Sequence, residues 1–274
     1  LSLHDALPIL GDNSMENKLI FGEDVKLYDM WRPHYPDRVF EEICSYANVC
    51  ENSSIIEIGC GTGQATEPML KRGYKIHAIE VSKSMCEYAN NKFSNFPFVA
   101  ENISFEDCEI MEKTVDLFMA ATAFHWVDEE IGYTKMSTAL KKNGSIALLW
   151  NRPFVARDND RMHLEIQRIY RKYTERKDRD SNLKQIEDDW ERYKRISNTI
   201  KKYGFKDVEF HMFRSVRKFD SRGYINLLNT YSDHRLMKEK CKNEFEDEIG
   251  NAIDSLGGIL NVYDTVELYL AKRS

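Results

Sequence analysis

Ser53 to Thr66 reads Ser-Ser-Ile-Ile-Glu-Ile-Gly-Cys-Gly-Thr-Gly-Gln-Ala-Thr. Ser54 to Ile58 has the apolar, β-branched character of a short buried strand, and helical sequence follows from Gln64 to Lys71. A strand therefore passes through Gly59, Gly61 and Gly63 into a helix. Alternating glycines let the backbone turn sharply and bring bare N–H groups and a helix N-terminus up to a ligand. A dinucleotide fingerprint requires a further glycine at position 64, where this chain has Gln64. No Gly-Lys-Ser/Thr triplet follows Gly63, which argues against a phosphate loop for nucleoside triphosphates. A turn that holds no ligand is the plain alternative.

Working outward, Lys75 to Glu80 reads as a second strand ending in an acid. Glu80 stands 21 residues after Gly59. At that distance a strand-helix-strand unit brings a carboxylate to the neighbouring strand end, where it accepts both hydroxyls of a ribose. Ser82 caps a helix with Met85, Tyr88 and Ala89 inward. Phe96 to Ala100 is a third strand, followed by Ser104-Phe105-Glu106-Asp107. Val115 to Ala121 is a fourth, running into Thr122-Ala123-Phe124-His125-Trp126. Ligands in open α/β sheets bind outside the carboxyl ends of the strands, so this polar and aromatic cluster is an active-site candidate. Asp128 caps the next helix, expected to end in the basic turn Lys141-Lys142-Asn143-Gly144, and Ser145 to Trp150 is a fifth strand.

Glu57-x-Gly59-x-Gly61-x-Gly63 resembles the first motif of class I S-adenosylmethionine-dependent methyltransferases. Phe124-His125-Trp126 resembles the element after the fourth strand in small-molecule methyltransferases similar to the trans-aconitate methyltransferases. The resemblance implies an α/β fold with a Rossmann-like, mostly parallel twisted sheet, an antiparallel last strand, helices on both faces and a helical cap inserted after strand 5. It implies S-adenosylmethionine as cofactor, held by Glu57, Gly59, Cys60, Gly61, Gly63, Glu80, Val81, Ser104, Phe105, Ala121 and Tyr35, and no metal. Ser104 and Phe105 depart from the acid and small residue usual at the adenine, so Phe105 is expected to stack or to use its backbone N–H. His125, Trp126, Arg32 and Tyr28 are the catalytic candidates. Tyr28, Tyr35, Phe124 and Trp126 would shape a dry pocket, with Arg32 and Arg152 as forks for an acceptor carboxylate.

The segments around this core are less specific. Leu1 to Ser14 lacks the basic start and apolar stretch of a secretory signal and is expected to be a non-native or disordered leader before Met15. Residues 15–48 form an N-terminal lid and helix, in which Tyr28, Trp31 and Tyr35 either close on the ligands or merely cover the sheet end. Residues 49–151 form the cofactor core, 152–206 the cap, and 207–274 the last two strands with inserted helices, from which Tyr231-Ser232 and Tyr263 reach toward the pocket. Arg152 to Lys206 carries sixteen Lys and Arg against ten Asp and Glu, a net +6 against −12 for the remainder. This is a solvated helix face or a lid that draws in an anion.

A net charge of −6 over 274 residues gives no general attraction to DNA or an anionic membrane, and no apolar run is long enough to span one. Six cysteines without a Cys-x-x-Cys pair suit a reducing, cytoplasmic setting. The expected protein is a monomer or homodimer methylating a small carboxylate, hydroxyl or amine. The alternatives are an RNA or protein methyltransferase, a non-catalytic S-adenosylmethionine-binding protein and, last, a dehydrogenase.

Overall fold

The computed structural model describes residues 25–154, 160–173 and 189–274. The expected leader, the Met15 start and the middle of the basic insertion lie outside the described residues. In chain order come helices α1 (Val25–Trp31) and α2 (Asp37–Ala47), β1 (Ile55–Ile58), α3 (Thr66–Lys71), β2 (Ile76–Ile79), α4 (Lys83–Lys92), β3 (Phe98–Glu101) and β4 (Val115–Ala121). A short 3-10 turn, Phe124–Trp126, leads to α5 (Glu129–Ala139) and β5 (Leu140–Phe154). Then follow α6 (Arg161–Tyr173), α7 (Asp189–Lys202), β6 (Phe205–Phe219), α8 (Ser221–Leu228), α9 (Ser232–Arg235), α10 (Glu239–Ser255) and β7 (Leu260–Arg273).

The seven strands form one sheet in the order β3-β2-β1-β4-β5-β7-β6. The first five are parallel, and β7 runs antiparallel between β5 and β6. The pattern within strands explains the layering. Leu117 and Met119 of β4 join Leu149, Leu268 and Leu270 under α2 and α3, while Phe118 and Ala120 join Ile146, Leu148 and Tyr269 under α5 and α7. A sheet buried on both faces gives the near-continuous apolar runs of β1 and β4. A third cluster binds α6, α8 and α10 to Leu260 and Val262 at the start of β7. Of the helices expected as a cap, α7 thus lies on the sheet and α6 packs within this C-terminal helical layer.

Helix α5 begins at the expected cap, where Asp128 Oδ1 accepts from the Ile131 N–H at 2.9 Å. It ends earlier than expected. Leu140, fully buried, already pairs with Val115, and the register resumes at Ser145 opposite Leu117. Lys141 to Gly144 therefore bulge out of the ladder, with Asn143 at φ 66° and Lys141 Nζ 2.7 Å from Asp116. The apolar anchor at Leu140 overrides the basic last turn and glycine stop.

Candidate active site

At the carboxyl ends of the parallel strands lies a cleft of about 1420 Å³ including its open mouth, bounded by the glycine loop, the ends of β2, β4 and β5, and helix α1.

The glycines divide their work. Gly59, Gly61 and Gly63 all have positive φ, at 67°, 55° and 93°. A Cβ on Gly59 would lie 2.5 Å from the Ala123 Cβ, and one on Gly63 would lie 2.3 Å from the Phe93 ring. These two positions let the loop pass against the β4 turn and let α3 approach Phe93. Only at Gly61 is the space open, with Met85 Sδ and Tyr28 Cε1 both 3.9 Å from a built Cβ. Gly63 does not line the cleft, and its requirement there is packing against Phe93.

Two buried carboxylates face the cleft. Glu80, 5% exposed, accepts from the Gly61 N–H at 2.9 Å and the Ser82 N–H at 2.8 Å. Burial raises its pKa, against the pull of those backbone donors. Each of its oxygens keeps a further lone pair for a hydroxyl donor. Asn102 Nδ2 donates to the Glu80 and Val81 carbonyls, both at 2.9 Å, and fixes the strand end. Glu57, 1% exposed, accepts from the Thr66 hydroxyl at 2.6 Å, and burial pushes it up to about 7.

The far wall begins at Thr122, a β-branched residue at φ 54°. Such residues rarely adopt the left-handed region, and the strain is held by a network. Its hydroxyl lies 2.9 Å from the Tyr35 hydroxyl and accepts from the Asn151 N–H at 3.2 Å. Burial raises the Tyr35 pKa. The 3-10 turn that follows separates its residues. Phe124 turns into the core edge-on to Tyr133, whereas His125 and Trp126 line the cleft with ring centroids 5.0 Å apart. The expectation that Phe124 shapes the pocket is therefore corrected. The His125 ring is open to the cleft while protein crowds its other sides. That desolvation, with the Arg192 charge, pushes its pKa down to about 4, so the imidazole is neutral at pH 7.

Helix α1 closes the cleft. Asp29 receives the Tyr88 hydroxyl at 2.8 Å and Lys92 Nζ at 2.7 Å. Just past the helix, Arg32 lies between two rings, 4.7 Å from the Tyr28 centroid and 4.2 Å from that of Tyr231. It is 9% exposed, Nη2 donates to the Thr230 carbonyl at 2.8 Å, and Nε has no hydrogen-bond partner in the protein. Arg152, the other expected fork, does not line the cleft. It pairs with Asp189 at 2.5 Å and with the fully buried Glu267 at 2.6 Å.

Of the remaining expected residues, Cys60, Val81, Ser104, Phe105, Ala121 and Tyr35 line the cleft. The Phe105 ring is packed edge-on against Phe118 in the core, so stacking through that ring is ruled out and its backbone remains. Ser104 donates to Asp107 at 2.6 Å. Tyr231 reaches the cleft and Tyr263 does not. The Ser232 side chain lies outside the described residues. Gln64 and Asn151 also line the cleft, both buried, and neither was read as a site residue from sequence. Gln64 carried a signal, since the third fingerprint position faces the ligand; Asn151 is brought in by strand pairing alone. Among the described residues no group of three or more His, Cys, Asp or Glu could hold a metal ion.

The cleft fits S-adenosylmethionine. Gly61 leaves open space beside Tyr28 and Met85, Glu80 suits a ribose diol, and Ile79, Val81 and Ile103 offer an apolar slot for a base. Residues 55–144 match the methyltransferase domain family. The chain is 26% identical over 241 residues to an uncharacterized methyltransferase of Schizosaccharomyces pombe, covering 86% of this chain and 88% of that one. It is 30% identical over 135 residues to malonyl-[acyl-carrier protein] O-methyltransferase 1 of Ilyobacter polytropus, covering 46% of this chain and 48% of that one. Several other curated relatives are likewise matched over about half their length. In fold it is similar to Haemonchus contortus phosphoethanolamine N-methyltransferase 2, solved with phosphomonomethylethanolamine and S-adenosylhomocysteine, with TM-score 0.52 and 13% identity over 91% of this chain and 56% of that one. Sheet order, glycine loop and the domain match over residues 55–144 together support an S-adenosylmethionine-dependent methyltransferase.

Proposed function

We propose that this methyltransferase acts on a small anionic acceptor held by Arg32. The observation that carries this reading is the buried guanidinium between Tyr28 and Tyr231, whose Nε lacks a protein partner. A buried cationic donor left unsatisfied costs more than the roughly 1–3 kcal/mol of a neutral group, and an acceptor carboxylate or phosphate would relieve it.

Bound S-adenosylmethionine supplies a methyl group on a sulfonium, whose positive charge disperses as the methyl leaves. The protein therefore has no new ion to stabilise, and its task is alignment and exclusion of water. Gly61, Glu80 and Glu57 would hold the cofactor, while Tyr28, Tyr35 and Trp126 wall the dry side. An acceptor carboxylate has no proton to lose. A hydroxyl or ammonium would hand its proton to neutral His125 Nδ1 or Nε2, for which a low pKa makes the ring a weak base.

The test pairs cofactor calorimetry with turnover of a small-carboxylate panel. Arg32→Met is expected to keep S-adenosylmethionine affinity within about threefold and to lower kcat/KM by about a hundredfold or more, the loss of a charged hydrogen bond. An equal loss of cofactor affinity would refute the acceptor role of Arg32.

A further inference from the structure

Asn151 lines the cleft at 2% exposure, and its amide is oriented by partners on two strands. Nδ2 donates to Asp264 Oδ1 at 3.2 Å. Asp264, 3% exposed, is held in turn by the Arg217 fork, with Nε to Oδ2 at 2.5 Å and Nη2 to Oδ1 at 3.0 Å. A carboxylate paired with a guanidinium is ionised and can only accept, so the Asn151 amino group must face it. The amide cannot flip, and Oδ1 stays on the other side, buried and without a hydrogen-bond partner in the protein. A buried carbonyl of this kind requires an explanation. Arg217 Nη1 also donates to the Trp31 carbonyl at 3.4 Å, which ties this relay to the residue preceding Arg32. The residues that carry the unpaired acceptor and the unpaired cationic donor, Asn151 and Arg32, both line the cleft.

We infer that Asn151 Oδ1 is a specificity determinant that accepts a hydrogen bond from a hydroxyl or N–H carried by the acceptor beside the anionic group on Arg32. The substrate class is thereby narrowed to small anions bearing such a donor, hydroxy acids being the simplest. Arg217 and Asp264 are positioning residues, acting through the amide they orient. The inference rests on the acceptor reading proposed above.

The experiment uses the full chain and three matched pairs of probes: malate and succinate, lactate and propionate, 3-hydroxybutyrate and butyrate. S-adenosylhomocysteine formation gives kcat/KM for each, and calorimetry gives cofactor affinity. The hydroxylated member of at least one pair is expected to be favoured by roughly tenfold to a hundredfold, the consequence of pairing one buried acceptor. Asn151→Leu should erase that ratio and leave cofactor affinity unchanged. Asp264→Asn, nearly isosteric, lets the Asn151 amide turn over and should erase the ratio as well. A ratio unchanged in both variants overturns the inference, as does cofactor binding without turnover of any hydroxylated probe. Failure of the wild-type chain to bind S-adenosylmethionine would instead remove the underlying methyltransferase reading.

Discussion

The Gly61 amide donates to Glu80 Oε2 across 2.9 Å and so ties the glycine loop of β1 to the end of β2. The carboxylate both shapes the loop and faces the cleft. Glu80→Ala removes the loop tie and the acceptor for ribose hydroxyls together. Two charge-assisted hydrogen bonds are worth about 1.5–3 kcal/mol each, so S-adenosylmethionine affinity is expected to fall by about a hundredfold or more in calorimetry. Retained affinity would separate Glu80 from the cofactor.

Glu57 couples ligand binding to protons. With its pKa raised to about 7 by burial, it is partly protonated in the apo protein at neutral pH. A bound sulfonium and ammonium favour the carboxylate, so binding near pH 7 releases protons and the measured enthalpy varies with the ionisation heat of the buffer. Glu57→Gln should abolish that variation. The same shift works against folding at high pH: the native state holds a proton that the unfolded state has lost, so stability contributed here falls as pH rises from about 4.5 through about 7. Thermal melts should show Glu57→Gln stabilised relative to wild type at pH 8 and nearly equal to it at pH 4.

For His125 the surrounding protein and the Arg192 charge both disfavour the imidazolium. Its pKa of about 4 keeps it neutral from pH 5 to 8. The profile of kcat/KM against pH is expected to show no inflection near 6.5 and a loss of activity only toward pH 4. His125→Asn should remove that acid limb. An inflection at 6.5 that disappears in His125→Asn would show the ring to be solvated.

Gly63 separates folding from binding. In Gly63→Ala the new methyl meets the Phe93 ring at a backbone angle that suits glycine. Overpacking and left-handed strain together predict a loss of about 2–4 kcal/mol of stability in denaturant titrations. Cofactor affinity of the folded fraction should change little. Phe93→Leu in the same chain should restore part of the stability. Gly61→Ala is expected to do the reverse, costing affinity first.

The glycine loop, Glu80 and the 3-10 turn were legible because each is local: few backbone paths satisfy that spacing, and the strand ends follow from alternation of apolar residues. Asn151, Arg217 and Asp264 were not, because nothing in any one segment announces a relay that forms only when β7 inserts between β5 and β6. Arg152 and Arg32 look alike in sequence and differ in neighbours, one claimed by Glu267 and the other left facing the cleft. Leu140 shows the same effect in the fold, where one buried side chain ends a helix that its basic successors would have continued.

Helix α1 has seven residues, too few to hold its shape alone, since isolated helices below about 12–15 residues are marginal in water. Its order is borrowed toward its C-terminal end, from Tyr88 and Lys92 through Asp29 and from Thr230 through Arg32. Fraying of this one turn-pair would uncover the cleft without disturbing a single strand pairing. The α1 amides should therefore exchange hydrogen faster than those of β4 in the apo protein and slow markedly with S-adenosylhomocysteine. If they do, the enzyme's pace of product escape is written in the local melting of its shortest N-terminal element, and Asp29→Asn becomes a means of quickening it.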